Sequence, residues 1–179
     1  KWSMGPTLEL MNGNIYETDL PKNAANYQPL SPLSLLQRAA TAFPDKTAII
    51  HGENFFTYAQ FYARARKLAG ALNSRGIGKG DTVAIMAPNT PPMLEAHYGV
   101  PMSGAVLNTL NLRLDPVSLA FILQHGEAKV LITDTEYSEV IGAALKKLED
   151  QPLVIDINDP LGPGGDNLGQ TDYESFLET

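Results

Sequence analysis

No cysteine occurs among the 179 residues. That excludes a disulfide, a thiolate nucleophile and a cysteine-ligated metal. Positive charge is also scarce. There are 13 Lys and Arg against 20 Asp and Glu, for a net charge of −7. The basic residues are scattered apart from Arg64, Arg66 and Lys67. Nucleic acid and anionic membrane would therefore find no counter-charged surface. No apolar run approaches the roughly 20 residues of a membrane span. The opening KWSMGPTLEL lacks the apolar core of a signal peptide. These features lead us to expect a cytoplasmic protein. Because the chain starts at Lys1 rather than Met, it is expected to be a piece of a longer polypeptide.

What is present reads as a globular α/β protein. Apolar residues make up 44% of the chain, and at this size about 70% of the unfolded surface is buried on folding. Residues 1–29 are rich in Pro, Asn and Gly and are expected to form an extended arm. Ser31-Pro32 then opens a helix, serine as N-cap and proline in the first turn. Leu33, Leu36, Ala40 and Phe43 give it one apolar stripe. Residues 47–58 read as a short hairpin about Gly52-Glu53-Asn54. Thr57-x-x-Gln60 is a capping box for a longer helix, with Phe61, Ala65, Leu68 and Leu72 on one face and Gln60, Arg64 and Lys67 on another.

From there strands and helices alternate. Strands are expected at 83–87, 105–110, 129–133 and 153–157, with helices at about 91–102, 116–125 and 136–149. Helices of this length between strands indicate a parallel sheet. The expected organisation is an arm at 1–29, an α/β unit at 30–158, a mobile Gly/Pro-rich linker at 159–171 and the start of a further element at 172–179.

Few local patterns carry chemistry. Gly76-x-Gly78-x-Gly80 follows a helix and precedes a strand, the reverse of a dinucleotide fingerprint, so it reads as a helix stop and turn. Gly78-Lys79 lacks the rest of a phosphate-binding loop. The first strand of the alternating series ends in Ala-Pro-Asn, without the paired carboxylates of a magnesium-binding receiver domain. Asp134 reads as a helix cap. His51, His97 and His125 share no spacing and have no acid partner nearby in sequence. Ser103-Gly104 does not match a nucleophile elbow, and Met93 and Met102 read as core residues. In open α/β sheets ligands gather beyond the carboxyl ends of the strands. Here those ends carry Pro88-Asn89, Asn108 to Arg113, and Asp134.

Several short runs, in order, carry a resemblance. They are Phe56-Thr-Tyr-Ala-Gln-Phe, Leu68-Ala-Gly-Ala-Leu, Gly76-Ile-Gly-Lys-Gly-Asp-Thr-Val-Ala, Pro88-Asn, Ser103-Gly-Ala-Val-Leu-Asn, Asn111-Leu-Arg-Leu and Ala128-Lys-Val-Leu-Ile. Over about residues 30–150 the chain resembles the N-terminal part of the acyl-adenylate-forming enzymes. It is most similar to their short- and medium-chain acyl-CoA synthetase branch, which includes methylmercaptopropionate–CoA ligases. The resemblance implies the N-terminal part of the large domain of that fold, a parallel sheet with flanking helices plus a short N-terminal hairpin. It also implies a full-length ligase acting in acyl or fatty acid metabolism on a carboxylic acid with ATP, CoA and magnesium, and often dimeric. The phosphate-binding loop, the acids for ribose and magnesium, and the catalytic lysine are implied to lie beyond Thr179. The chain alone is thus expected to be inactive and to hold no cofactor. Asn111 and Arg113 occupy positions that, in acetate-activating relatives, help line the CoA channel. Relatives often carry small or aromatic residues there, and this sequence departs from that. The rival expectation is a free-standing α/β binding module without catalysis.

Overall fold

The computed structural model describes residues 21–179, so the expected arm lies largely outside the described residues. It divides into two units, with a boundary between Ser31 and Pro32. In the first, residues 21–30 are exposed around a turn, where the Asn23 carbonyl accepts from the Tyr27 amide at 2.9 Å.

The second unit opens with α1 (Pro32–Ala42) and a two-stranded antiparallel hairpin, β1 (Thr47–His51) and β2 (Asn54–Thr57). Leu36 is buried, but Phe43, which the stripe predicts as buried, is 60% exposed. It falls one residue past the end of α1, where the helical period no longer directs its side chain. The capping box forms as expected: the Gln60 amide donates to Thr57 Oγ1 at 3.2 Å, and the Thr57 amide to Gln60 Oε1 at 2.8 Å. It starts α2 (Tyr58–Ser74), whose Phe61, Ala65, Leu68 and Leu72 are buried.

The main sheet comprises β3 (Thr82–Met86), β4 (Val106–Thr109), β5 (Ala128–Asp134), β6 (Leu153–Ile157) and β7 (Thr171–Asp172) in the order β4-β3-β5-β6-β7. Every pairing is parallel. Between the strands lie α3 (Pro91–Ser103), α4 (Pro116–His125) and α5 (Ser138–Leu145), and α6 (Tyr173–Leu177) follows β7. The strands explain the layering. Val83 and Ile85 point into one core with residues of α2, α3 and α6; Ala84 and Met86 point into a second with residues of α4 and α5. A strand covered on both faces loses period-2 polarity and reads as a continuous apolar run, as VAIMA does. Full burial of one such aliphatic side chain is worth about 2 kcal/mol.

Two expectations change. The helix predicted over 136–149 starts with a short 3-10 turn at Thr135–Tyr137 and its α-helical part ends at Leu145. Beyond it the Lys147 and Leu148 amides bond three residues back, in a tightening terminal turn. The Gly/Pro-rich segment is also held at several points. The Leu168 and Gly169 amides donate to the Asp156 carboxylate at 3.1 and 2.7 Å, and the Asp166 amide to Ser138 Oγ. Leu168 packs on the α4/α5 core. A composition count misses this, because one leucine and one distant buried acid supply the anchor.

The glycine corner behaves as a turn. Gly76 and Gly80 sit at φ 75° and 92°, a region that favours glycine. The Gly78 amide donates to Asp81 Oδ2 at 2.8 Å, and Lys129 Nζ lies 2.6 Å from Asp81 Oδ1.

Candidate functional site

The carboxyl ends of β3 and β4 frame an open depression of about 540 Å³. After β3 the chain passes through Ala87, Pro88 and Asn89 and enters α3 through Thr90, with prolines in the first turn. Proline lacks the N–H that a first turn leaves unbonded anyway. After β4, Asn111 Oδ1 accepts from the Arg113 amide at 2.9 Å, and the Asn111 carbonyl from the Leu114 amide at 3.3 Å. These bonds turn the chain toward α4. Asp115 then caps that helix, accepting from the Val117 and Ser118 amides. The depression is lined by Asn89, His97, Asn111 and Arg113 together with Ala87, Met93 and Leu110. The structure therefore gathers Asn111 and Arg113, both exposed, with Asn89 and His97. His97 Nδ1 donates to the Met93 carbonyl at 2.8 Å, so its Nε2 edge is the uncommitted one.

A second depression, of about 250 Å³, runs between the hairpin and the start of α3, along Ile49, Ile50, Met93 and Leu94. A third, of about 160 Å³, lies by Phe56, Pro92 and Ile157. There His51 Nε2 lies 3.0 Å from both carboxylate oxygens of Asp159, a partner 108 residues away in sequence. Burial works against ionisation of Asp159, but the bonds from His51 and the Leu161 amide outweigh it and hold its carboxyl below the usual range. His125 stacks on Phe121, with ring centroids 5.4 Å apart. Asp134 caps the 3-10 turn through the Glu136 amide at 3.1 Å, while its other oxygen, buried, finds no hydrogen-bond partner among the described residues.

Sequence reasoning missed the buried charge. Glu95, fully buried on α3, accepts from Arg64 and from the Tyr173 hydroxyl, and Arg64 also reaches Glu174 on α6. A signal existed. Glu95 is the only Asp, Glu, Lys or Arg between Asp81 and Arg113, and a lone charge in an apolar stretch needs a partner.

Among the described residues no group of three or more His, Asp or Glu could hold a metal, and no glycine-rich loop leads from a strand into a helix. No helix among the described residues is long and apolar enough to cross a membrane.

Together the strands and helices define an α/β domain with an open depression at the carboxyl ends of a parallel sheet. The chain belongs to the AMP-binding enzyme family, which matches residues 36–172. It is 44% identical over 172 residues to the acetate–CoA ligase CCL3 of Humulus lupulus, covering 89% of this chain and 30% of that protein. It is 44% identical over 173 residues to the peroxisomal acetate/butyrate–CoA ligase AAE7 of Arabidopsis thaliana, covering 90% of this chain and 30% of that one. The crystal structure of the N-terminal domain of FACL13 from Mycobacterium tuberculosis superposes with a TM-score of 0.62 at 34% identity, covering 67% of this chain and 31% of that chain. The chain thus spans about 30% of the length of the two curated relatives.

Proposed function

We propose that this chain is the N-terminal part of an ATP-dependent acyl-CoA ligase of the short- and medium-chain branch. In the first step a carboxylate oxygen attacks the α-phosphorus of ATP and pyrophosphate leaves, giving acyl-AMP. In the second a CoA sulfur attacks the acyl carbon, the thiol proton is released and AMP departs. The observation that carries the reading is the ordered family match across residues 36–172. In this proposal the phosphate, ribose and magnesium groups belong to the remainder of the enzyme, and the residues here supply scaffold and one wall of the CoA path.

Exposed apolar side chains favour the ligase over a free-standing module. Val106 sits on the unpaired edge strand β4, and Val117 (63% exposed) and Phe121 (65%) lie one turn apart on α4. Apolar side chains left exposed on an edge strand and along one helix face fit surfaces that the rest of a larger enzyme would cover. We assign Arg113 and Asn111 to CoA. The Arg113→Ala variant of the complete enzyme is expected to raise the apparent KM for CoA more than that for ATP; unchanged CoA kinetics would remove the assignment.

The main test is carboxylate-dependent ATP–pyrophosphate exchange. The 179-residue chain should show none. A protein of the relatives' full length carrying it should exchange with short or medium carboxylic acids. Exchange by the chain alone, or none by the complete protein with any such acid, overturns the reading. A cytoplasmic location is part of the proposal and is checked by cell fractionation.

A further inference from the structure

The Gly/Pro-rich segment 159–169 leaves the end of β6, passes over Thr135 and Ser138 just beyond β5, and returns to β6 at Asp156. It is tied at both ends. At one, Asp159 meets His51 of the hairpin at 3.0 Å and accepts from the Leu161 amide at 3.0 Å. At the other, the Leu168 and Gly169 amides hold Asp156. In the middle, a Cβ at Gly165 would run into the Thr135 carbonyl oxygen, so only glycine allows that approach. Residues 160–167 are themselves exposed. The segment is a strap across the carboxyl end of the central strand.

Asp134, the last residue of β5, lies beneath it and is 2% exposed. One carboxylate oxygen caps the 3-10 turn through the Glu136 amide; the other has no hydrogen-bond partner among the described residues. The charges that act on it are Glu136 on that turn and Asp159 on the strap, both acidic. Tyr137 adjoins it, and His51 is engaged with Asp159. Ionised, Asp134 buries a charge that one oxygen cannot satisfy and that a like charge opposes. Neutral, it avoids both costs. Lifting the strap would admit water to that oxygen and carry Asp159 away. Closure and ionisation of Asp134 therefore oppose each other, and closure takes up a proton.

We infer that residues 159–169 form a pH-gated strap over the carboxyl end of β5, closed while Asp134 is protonated and released when it ionises. The sign follows from the raised Asp134 carboxyl: the closed form is favoured below its folded value and loses that advantage as pH rises through it. Asp159, held below its usual range, keeps its ionic anchor above about pH 3.9. Closure is thus tightest just above that pH. What release uncovers is the end of the sheet at which open α/β folds bind ligands. The gate uses no catalytic group, so its failure would leave the ligase reading untouched.

Hydrogen–deuterium exchange of the 179-residue chain from about pH 4.5 to 8, each rate corrected for the intrinsic pH dependence of amide exchange, tests this. Peptides over 159–169 are compared with those over β3. The strap should exchange faster than β3 at every pH, because it opens without unfolding the sheet. Its protection should fall as pH rises, about tenfold for each pKa unit by which closure raises Asp134. Asp134→Asn should flatten that profile. Gly165→Ala should remove strap protection at all pH values while β3 stays protected. Strap and β3 protection that are equal, a strap profile independent of pH, an Asp134→Asn profile with the parent's slope (which would place the titration at His51), or unchanged strap protection in Gly165→Ala each overturns the inference.

Discussion

Arg64 Nε donates to Glu95 Oε1 at 2.6 Å across the α2–α3 contact. Burial alone would disfavour the arginine charge, but Glu174 and Glu95 outweigh it and keep the guanidinium firmly protonated. Glu95 also accepts from the Tyr173 hydroxyl at 2.9 Å, and burial pushes that phenol well above its ordinary pKa. One buried carboxylate thus ties together α2, α3 and the terminal α6.

Removing one member of a buried pair leaves the other uncompensated. Arg64→Ala should therefore destabilise the chain by about 3 kcal/mol, the low end for a buried pair because Arg64 keeps some solvent. Glu95→Leu combined with Arg64→Met should cost less than the sum of the single changes. Urea midpoints of the three variants check this; strict additivity would mean that the pair is not coupled.

Gly99 lies on α3 where it crosses α2. A Cβ there would sit 2.8 Å from the Ala65 carbonyl oxygen and 2.7 Å from Leu68 Cδ2. Helix propensity favours alanine over glycine by about 1 kcal/mol. The clash with a backbone oxygen opposes it, and overpacking costs about 1–3 kcal/mol. We expect Gly99→Ala to be net destabilising by urea denaturation, whereas Gly70→Ala on α2, where none of the described residues puts an atom within 4 Å of the added carbon, should be neutral or stabilising.

Asp134 and Asp159 give opposite pH dependences. Burial first, then the charges of Glu136 and Asp159, raise the Asp134 carboxyl above its usual range. A raised folded pKa contributes stability below the unfolded value of about 3.9 and loses it as pH rises through the folded value. Asp134→Asn keeps the capping oxygen and removes the charge. The variant should gain on the parent at neutral pH, and the gap should close as pH falls toward 4. Asp159, held below its usual range, contributes stability above about pH 3.9 and loses it on acidification. The parent minus Asp159→Asn difference should accordingly shrink below that pH. Thermal melts from pH 3 to 8 measure both; parallel curves would refute the assignment.

Thr57 tests the start of α2. Thr57→Ala removes the oxygen that accepts from the Gln60 amide and should cost about 1 kcal/mol, with Thr57→Ser close to the parent. Guanidinium denaturation of both variants separates the cap from simple loss of a methyl group.

Much of the architecture was legible because its cues are local. Thr57 with Gln60 and the glycines at 76 and 80 act within one turn of chain. The uninterrupted VAIMA run announces a strand covered on both faces. The ends of elements were less legible. Phe43 continues the apolar period of α1 but lies beyond its last residue, and α5 stops four residues short of the expected end. Periodicity shows which face is apolar, not where the backbone stops following it.

The amino-acid order by itself determined the alternation of strands and helices, the caps that start them and the family to which the chain belongs, since these depend on residues within a few positions of one another. Only the tertiary structure decided that His51 meets Asp159, that Glu95 is buried against Arg64 and Tyr173, that Leu168 and Asp156 hold the glycine-rich segment, and that Asn89, His97, Asn111 and Arg113 share one open depression. The physical reason is the same in each case. Ion pairing, desolvation and the exclusion of like charge depend on distance in space, and packing a parallel sheet brings together side chains that the sequence keeps tens of residues apart.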